Sequence, residues 1–507
     1  MEFGHYLQIN LASLPYFIPE LILVGTLLLL IIVDLVLKDK PSAGWLSLIA
    51  LSGVVIALIA VVGQYDLGTR SLFNGVLVLD HFSLFFKVLF LAAAALAILF
   101  TMASIELAGR PVGEYYTLLI TLVLGMFLMA ASTNLIMIYI SIELVSITSF
   151  VLAAYIKRAT RSSEAGLKYA IYGAFSSGLM LYGFSWLYGL TGTLDLYQLA
   201  RSLSEIASQN PLAIFLSVLF ILAGFGYKIA AVPFHFWAPD VYEGAPTPMT
   251  AFFSVGPKAA GFALLIRFFV SGMAQPSLVE SSMWQAIGDI HWPQLLAVIS
   301  AATMTLGNLI ALVQNNVKRL LAYSSIAHAG YALMGTVVLT QEGYFATLFY
   351  LVAYYLMNMG AFLVVIVFQD LIGSEKIDDY RGLGYRAPIA AIAMGIFLFS
   401  LTGLPPTVGF IGKFYLFAAL IKAGEAYYWL AIVGVLNSVV SLYYYVKIMK
   451  YMFLDRPVEE KTGALPVTLS MNLMLVVLMV PIILFGLYWA PLQEFTRNSI
   501  QFFTGTF

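Results

Sequence analysis

The stretch "GFGYKIAAVPFHFWAPDVYEGAPTP", residues 224–248, places a lysine, a proline and a histidine inside a strongly apolar part of the chain. Pro233 removes a backbone hydrogen bond and breaks or kinks a helix that contains it. Lys228 and His235 lie on either side of this proline, about two helical turns apart on one face. The stretch therefore predicts a broken helix that carries two titratable side chains.

The composition of the whole chain is that of a membrane protein. Hydrophobic residues make up 61% of the 507 residues and charged residues only 10%, whereas about a quarter of a soluble domain is charged. Apolar runs of roughly 20 residues, the length that spans a bilayer as a helix, recur throughout the chain. The N-terminus has neither a basic region nor a small-residue cleavage site, so we expect it to be retained.

These runs predict an all-α polytopic membrane protein with about 14 transmembrane helices and no separate soluble domain. The predicted spans lie near residues 17–37, 43–63, 80–104, 114–131, 134–156, 164–190, 211–235, 247–272, 293–313, 319–339, 343–372, 387–420, 426–453 and 466–489.

The same composition argues against several classes of function. The chain has no cysteine and only five scattered histidines, which excludes thiolate ligands, iron–sulfur clusters and disulfides and predicts no metal site. Any redox centre is therefore expected in a partner protein. A formal net charge of -1 without a basic run argues against nucleic-acid binding.

Lysine and arginine residues are distributed unequally between alternate loops. One set of loops holds 15 of them and the other set, in which we count Arg267, holds 5. Because short cytoplasmic loops carry the excess, both termini are expected on the outer side. The remaining lysines fall inside predicted spans: Lys87, Lys168, Lys228, Lys258 and Lys413.

A lysine near the centre of a spanning helix costs on the order of 3 kcal/mol, so each of these needs a partner, water or a function. We expect Lys87 to reach the interface with its long stem. Glu143 lies about 13 Å along its helix from Asn134 and cannot do so. Lys168, on the next helix, is expected to pair with Glu143, either as a proton-handling element or as a purely structural ion pair.

Polar groups also interrupt the second half of the chain. Lys258 follows a Gly-Pro interruption, and Lys413 follows the prolines of "SLTGLPPTVGFIGKFYLF". A polar stripe at helical spacing marks "NNVKRLLAYSSIAHAGY" and continues on the following helix: Ser324, Ser325, His328, Tyr331, Tyr354 and Asn358. Because this line is mostly cationic, protons are a more natural cargo than metal ions.

The two interrupted helices occupy corresponding places, each the fourth in a run of five, as in transporters with inverted repeats. In this scheme Glu143 corresponds to His328, and Lys228 to Lys413. Two unrelated proline kinks are the alternative. The predicted divisions are three N-terminal helices (1–110), a first five-helix unit (111–275), a second, inverted unit (290–455) and a C-terminal helix (456–507).

Three motifs carry a family resemblance that extends over almost the whole chain. "KIAAVPFHFWAPDVYEGAPTP", "NNVKRLLAYSSIAHAGY" and "LTGLPPTVGFIGKF" closely resemble motifs of the antiporter-like membrane subunits of proton-pumping NADH:quinone oxidoreductase, respiratory complex I. The resemblance implies a subunit that couples quinone reduction elsewhere in the complex to proton transfer along two linked half-channels. It implies no cofactor in this chain, with flavin, iron–sulfur clusters and quinone in partner subunits.

Within that family the chain is most similar to the N type. It stops soon after its last span, unlike the L type with its long lateral helix, and it has Lys413 where the M type usually has glutamate. The resemblance implies a hetero-oligomer in the bacterial inner membrane, in contact with lipids, an M-type subunit and the small K-type subunit. It implies proton-transfer roles for Glu143, Lys168, Lys228, His235, Lys258, His328 and Lys413.

Two other functions are compatible with the same motifs. Subunits of multisubunit cation/proton antiporters share them. A passive scaffold subunit is also conceivable, but it leaves the cost of the buried lysines unexplained.

Overall fold

The computed structural model describes residues 2–37, 43–277, 283–288, 291–455 and 463–500. Helices dominate these ranges, and eleven helices within them are long and apolar enough to cross a membrane. The prediction of an all-α polytopic membrane protein is therefore confirmed.

The N-terminal part contains four helices and one hairpin. Helix α4 (His81–Ala103) begins with a capping box, in which the Asp80 carboxylate accepts from the backbone N–H of Ser83 at 2.6 Å. Two short strands, β1 (Arg70–Leu72) and β2 (Leu77–Leu79), pair antiparallel just before it. The elements are α1 (Glu2–Ser13), α2 (Ile18–Val36), α3 (Ala43–Val62), β1 (Arg70–Leu72), β2 (Leu77–Leu79) and α4 (His81–Ala103).

The first unit follows, with its fourth span divided in two. Its elements are α5 (Gly113–Ala131), α6 (Leu135–Ala153), α7 (Thr160–Thr191), the amphipathic α8 (Leu196–Ile206), the broken span α9 (Pro211–Ile229) and α10 (Trp237–Gly244), and α11 (Thr247–Gly272). The short antiparallel strands β3 (Ala274–Pro276) and β4 (Trp284–Ala286) connect it to the second unit.

The second unit has the same order of spans. Its elements are α12 (Trp292–Leu312), α13 (Val317–Val337), α14 (Gln341–Ile372), the short α15 (Leu383–Arg386), the broken span α16 (Pro388–Thr402) and α17 (Val408–Lys422), and α18 (Tyr428–Phe453). Helices α19 (Leu469–Leu487) and α20 (Ala490–Asn498) follow.

The second helix of each unit begins in the same way, and the third helix of each unit ends in the same way. The Asn134 side chain caps α6 and the Asn316 side chain caps α13, each accepting from a backbone N–H of the first turn. Helices α7 and α14 are both 32 residues long. They end on glycines in the left-handed region, Gly192 at φ 69° and Gly373 at φ 68°, where glycine avoids the steric cost of a Cβ. These shared features support the predicted repeat, whose boundaries stay a prediction.

In both broken spans, a side chain donates a hydrogen bond to a backbone carbonyl next to the break. After α9, the Tyr227 carbonyl accepts from the Trp237 indole N–H at 2.9 Å. After α16, the Thr402 carbonyl accepts from the Lys413 ammonium at 2.8 Å. At membrane depth every such group needs a protein or water partner, and these contacts provide one.

Helices α11 and α14 form the interior, because each is buried along nearly its whole length and they pack against each other. The outer helices expose large apolar side chains, among them Ile140, Phe175, Ile432 and Val439. A surface of this kind is suited to lipid rather than to water. The interior therefore lies where the two units meet.

Three predicted spans are not among the eleven. Helix α13 has its predicted length and α7 is longer than the predicted 164–190, but both are rich in small and polar residues. Helices α16 and α17 are the short halves of one broken span. Each of these helices still packs within its unit. A criterion of length and hydropathy therefore omits helices rich in polar residues and the short halves of a broken span.

Two expectations about charged residues were wrong. Lys87 does not reach the interface but is buried, with its ammonium 2.6 Å from the Glu20 carboxylate. Arg267, which we counted in a loop, is fully buried in α11 and makes a two-pronged ion pair with Asp80 at 2.8 and 3.0 Å. Each cation is paired with a carboxylate from another part of the fold. The ion pair compensates the buried charge for its lost hydration.

Candidate functional site

Lys228 lies in the last turn of α9 and is buried, with 1% of its surface exposed. Its ammonium donates to the Ser146 hydroxyl of α6 at 3.0 Å. Glu143, half-buried and almost one turn before Ser146, lies close enough to Lys228 to interact with it electrostatically. The mid-membrane carboxylate of α6 therefore faces Lys228.

The predicted pairing of Glu143 with Lys168 is wrong. Lys168 instead forms ion pairs with Asp240 and Glu164, both at 2.6 Å, and 37% of its side chain is exposed. Asp240 belongs to α10, the second half of the broken span, which packs against α7. The break redirects the chain and brings a carboxylate to Lys168 that a continuous helix would have carried elsewhere.

Lys168 is part of a charged cluster that sequence reasoning missed. Arg319 of α13 contacts both Asp240 at 2.6 Å and Glu243 at 2.9 Å. A cavity of about 190 Å³ adjoins the cluster, lined in part by Arg161 and Glu164. The signal was present in "WAPDVYEG", where two acidic residues stand three apart on one helical face. The cluster connects the first unit to the second.

The charges around Asp240 determine its protonation state. Partial burial is the largest single influence and by itself raises the pKa of the carboxyl, but hydrogen bonds from Lys168 and Arg319 together outweigh it. The pKa of Asp240 consequently lies below its ordinary value. Asp240 is ionised at neutral pH and holds both cations.

His235 lies in the break between α9 and α10 and is 4% exposed. Its ring stacks near Phe236 at 4.4 Å between centroids, and its Nδ1 has no hydrogen-bond partner among the described residues. A buried ring nitrogen without a protein partner is a place where water can bind. His235 therefore lies at the break, as predicted, and is separate from the polar groups around Lys258 and His328.

Lys258 joins the two units. From α11 it donates to the Ser325 hydroxyl of α13 at 2.5 Å, and its ammonium lies 5.7 Å from the centroid of the Tyr242 ring. The Tyr354 hydroxyl donates to the same serine at 2.8 Å. The polar stripe predicted from the sequence therefore converges on one lysine of the other unit.

His328 lies one turn further along α13, where both ring nitrogens contact tyrosines. Nδ1 lies 2.6 Å from the Tyr350 hydroxyl and Nε2 lies 3.2 Å from the Tyr445 hydroxyl. His328 and Lys258 both line a cavity of about 10 Å³, which is about enough room for one water molecule. These two side chains are thus close enough to exchange a proton through one water.

Lys413 lies on α17, after the second break, and is 4% exposed. Besides the Thr402 carbonyl, its ammonium contacts the Ser438 hydroxyl at 3.1 Å and lies 4.4 Å from the centroid of the Tyr331 ring. A cavity of about 250 Å³ opens beside it, lined by α16, α17 and α18. This lysine therefore lies in a buried hydrogen-bonded network and beside an open cavity.

The correspondence expected between the two units is only approximate. Lys228 precedes the first break, whereas Lys413 follows the second. Counted from the capping asparagines, the position in α13 that matches Glu143 is Ser325, almost one turn before His328. The repeat therefore preserves the helices more closely than it preserves the functional side chains.

Among the described residues, no three histidine, cysteine or acidic side chains are grouped so that they could hold a metal ion. The expectation that this chain binds no cofactor stays a prediction.

Comparison with known proteins identifies a family and close relatives of this chain. Residues 132–441 match a family described as "NADH:quinone oxidoreductase/Mrp antiporter, TM". NADH-quinone oxidoreductase subunit N of Chlorobium chlorochromatii is 50% identical, over 97% of this chain and 96% of its own length. Subunit N of Anaeromyxobacter sp. (strain Fw109-5) is 46% identical, over 98% of both.

Solved structures agree. A chain of respiratory complex I from Thermus thermophilus is 30% identical, with a TM-score of 0.77 over 94% of this chain and 98% of that one. A chain of the Mrp complex from Dietzia sp. superimposes with a TM-score of 0.81 over 97% and 98%, at 22% identity, which shows a shared fold.

Proposed function

The chain belongs to the NADH:quinone oxidoreductase/Mrp antiporter transmembrane family, and from that premise we propose that it is the N-type, proton-translocating membrane subunit of an NADH:quinone oxidoreductase. Relatives named subunit N match it over nearly their whole length at 46% and 50% identity. The Mrp complex chain shares the fold at only 22% identity. The oxidoreductase is therefore better supported than the cation/proton antiporter.

One contrast between buried cations carries the proposal. Among the described residues, Lys228, Lys258 and Lys413 hydrogen-bond only to hydroxyl and carbonyl oxygens. Lys87 and Arg267, which are equally buried, each have a carboxylate. A buried lysine with only neutral partners can bind or release a proton without breaking an ion pair, whereas a paired cation is fixed. The three unpaired lysines are the ones suited to proton transfer.

The proposed path runs from the first unit to the second. Glu143 and Lys228 form its first step, with His235 at the adjacent break. Lys258 and His328 pass the proton across the boundary between the units, through the small cavity between them. Lys413 and its open cavity form the last step. Lys168 is held by Asp240 and Glu164, so by the same reasoning it is a fixed cation beside this path and not a carrier on it.

Energy for this transfer comes from outside the chain. Quinone reduction in the assembly alters charge or hydration near Glu143, which changes its interaction with Lys228 and so the proton occupancy of that lysine. Flavin, iron–sulfur clusters and quinone belong to partner subunits in this proposal, and M-type and K-type subunits are its neighbours. The chain lies in the bacterial inner membrane with both termini outside.

The test is proton stoichiometry in the intact complex, purified and reconstituted into vesicles with quinone reduction followed in parallel. Lys228→Ala and Lys413→Ala are expected to lower the number of protons moved per electron, because each removes a group that carries the proton. Lys422→Ala, which removes an exposed lysine from the same helix as Lys413, is the matched control.

Two further variants separate charge from proton exchange. Lys228→Arg keeps a cation that does not deprotonate and is expected to fail like Lys228→Ala. Glu143→Gln is compared with Glu205→Gln, an exposed glutamate. Full pumping in the Lys228 and Glu143 variants would overturn the proposal and favour a passive scaffold.

A further inference from the structure

A chain of hydrogen-bonded side chains leads away from His328 on the side opposite Lys258. The Tyr445 hydroxyl lies 3.2 Å from Nε2 of His328, and the Tyr444 and Tyr445 rings pack 4.4 Å apart between centroids, so that the two side chains interact. Tyr444 donates to Oδ1 of Asn308 at 2.8 Å. The histidine is thus connected through two tyrosines to a buried amide.

The same amide is connected to Lys413 from the other side. Nδ2 of Asn308 donates to the Tyr331 hydroxyl at 3.4 Å. The Ser438 hydroxyl lies 3.3 Å from the same tyrosine oxygen and 3.1 Å from the Lys413 ammonium. Among the described residues, Asn308 is the hydrogen-bonded link between the tyrosines on the two sides, and it is fully buried.

The orientation of this amide follows from its neighbour. Asn437 donates from its Nδ2 to the backbone carbonyl of Val433 at 3.0 Å, and a carbonyl can only accept. The oxygen of Asn437 therefore faces Asn308 and accepts from Nδ2 of Asn308 at 3.1 Å. This contact fixes Asn308 with its oxygen toward Tyr444 and its nitrogen toward Tyr331.

An amide in this position differs chemically from the other members of the chain. A hydroxyl can accept one proton and release another, and an imidazole can do so through its two nitrogens. Asn308 accepts only at oxygen and donates only at nitrogen. To pass a proton it would have to become protonated at oxygen and lose a proton from nitrogen, which leaves an imidic acid.

We propose that Asn308 is an insulator that prevents direct proton transfer between His328 and Lys413 through the hydrogen-bonded side chains. Both ends of the chain adjoin cavities, the small one beside His328 and the open one beside Lys413, whereas Asn308 lies in closely packed protein. A proton that has reached Lys413 does not return along this chain, and forward transfer requires water that bypasses the amide. The inference rests on the proposed function and adds that a proton cannot pass along these side chains in either direction, so that transfer depends on water.

The test replaces the amide with a group of the same shape that can relay a proton. A carboxyl accepts a proton on one oxygen and releases one from the other, so Asn308→Asp completes the chain. In reconstituted complex, we expect a passive proton leak several-fold above that of the parent under an imposed gradient, with fewer protons pumped per electron and quinone reduction retained. A leak equal to the parent's would overturn the inference.

Two more variants keep the result unambiguous. Asn308→Leu has a side chain of similar volume that cannot relay a proton, so no leak is expected. A leak in this variant as large as in Asn308→Asp would also overturn the inference, because it would reflect damaged packing. If the Asn308→Asp complex does not assemble, Asn308→Thr supplies a hydroxyl, and the presence or absence of its leak decides the question.

The proposed function itself is tested with the same assay on the Lys228→Ala complex. Undiminished pumping in that variant means that the proposed function itself fails. Lost pumping there, combined with no leak in Asn308→Asp, means that only the insulating role fails.

Discussion

Lys258 and Ser325 join the two five-helix units by one hydrogen bond of 2.5 Å, from an ammonium of α11 to a hydroxyl of α13. The same hydroxyl contacts Tyr354 at 2.8 Å and Tyr242 at 3.3 Å. A neutral oxygen with several hydroxyl neighbours can rearrange its hydrogen bonds as the lysine gains or loses a proton. The hydrogen bonds between the units can therefore adjust to the protonation state of Lys258. A carboxylate at this place would instead hold the lysine in its charged form.

Removal of this hydroxyl is expected to impair pumping. Ser325→Ala leaves the buried Lys258 without its acceptor, at a cost of about 1–3 kcal/mol for an unsatisfied group, and it disconnects Tyr354. We expect fewer protons per electron in reconstituted complex. The control is Ser217→Ala, because Ser217 is equally buried but bonds only to a carbonyl of its own helix. Equal stoichiometry in the two variants would contradict this role of Ser325.

The cluster around Asp240 is expected to stabilise the protein in a pH-dependent way. Because the pKa of Asp240 is lowered on folding, its contribution is present above the unfolded value of about 3.9 and is lost as the pH falls through the folded value. At pH 7, Asp240→Asn should lower the midpoint of thermal unfolding, by an amount corresponding to about 1 kcal/mol for a partly exposed pair.

The pH profile is the decisive measurement for that cluster. The difference between Asp240→Asn and the parent should narrow below about pH 4, whereas Asp66→Asn, at an exposed position, should match the parent throughout. A destabilisation that is constant from pH 7 to pH 3 would show that lost packing, and not lost charge, is responsible.

The pair Glu20 and Lys87 is expected to be structural. Lys87→Met leaves the buried carboxylate unpaired and should cost about 3–5 kcal/mol, seen as a lower yield of assembled complex. The double variant Glu20→Gln/Lys87→Met should recover most of that yield, since no uncompensated charge remains. Complex that does assemble should pump normally; a reduced proton stoichiometry in the double variant would instead place this pair in the proton path.

The second break is expected to depend on a close backbone contact at Gly409. A Cβ at this position would overlap the Ser400 carbonyl oxygen and approach the sulfur of Met357. Gly409→Ala should therefore greatly reduce assembly. Gly178→Ala is the matched control, because a Cβ there meets nothing within 4 Å on the exposed side of α7. Equal yields from both variants, measured by immunoblot of membranes, would refute this explanation.

Much of the candidate site was predictable from residue type and position. Lys228, Lys258 and Lys413 were identified because a lysine within an apolar span is costly, and each is buried in the structure. Pro233 and the pair Pro405-Pro406 predicted both breaks, but the interruption expected at Gly256-Pro257 was wrong, because Pro257 lies inside the continuous helix α11. The partners were less predictable: Lys168 pairs with Asp240 rather than Glu143, and Asn308 gave no signal at all in the sequence.

The sequence by itself determined where most spans lie, because an apolar run in lipid must satisfy its backbone as a helix. It also marked both breaks with prolines, although Pro257 and Pro481 lie inside continuous helices. Only the tertiary structure decided which side chains meet. In helices that are apolar on nearly every side, no periodic pattern specifies which face turns inward, so contacts such as Lys228 with Ser146 depend on how helices distant in sequence rotate and pack.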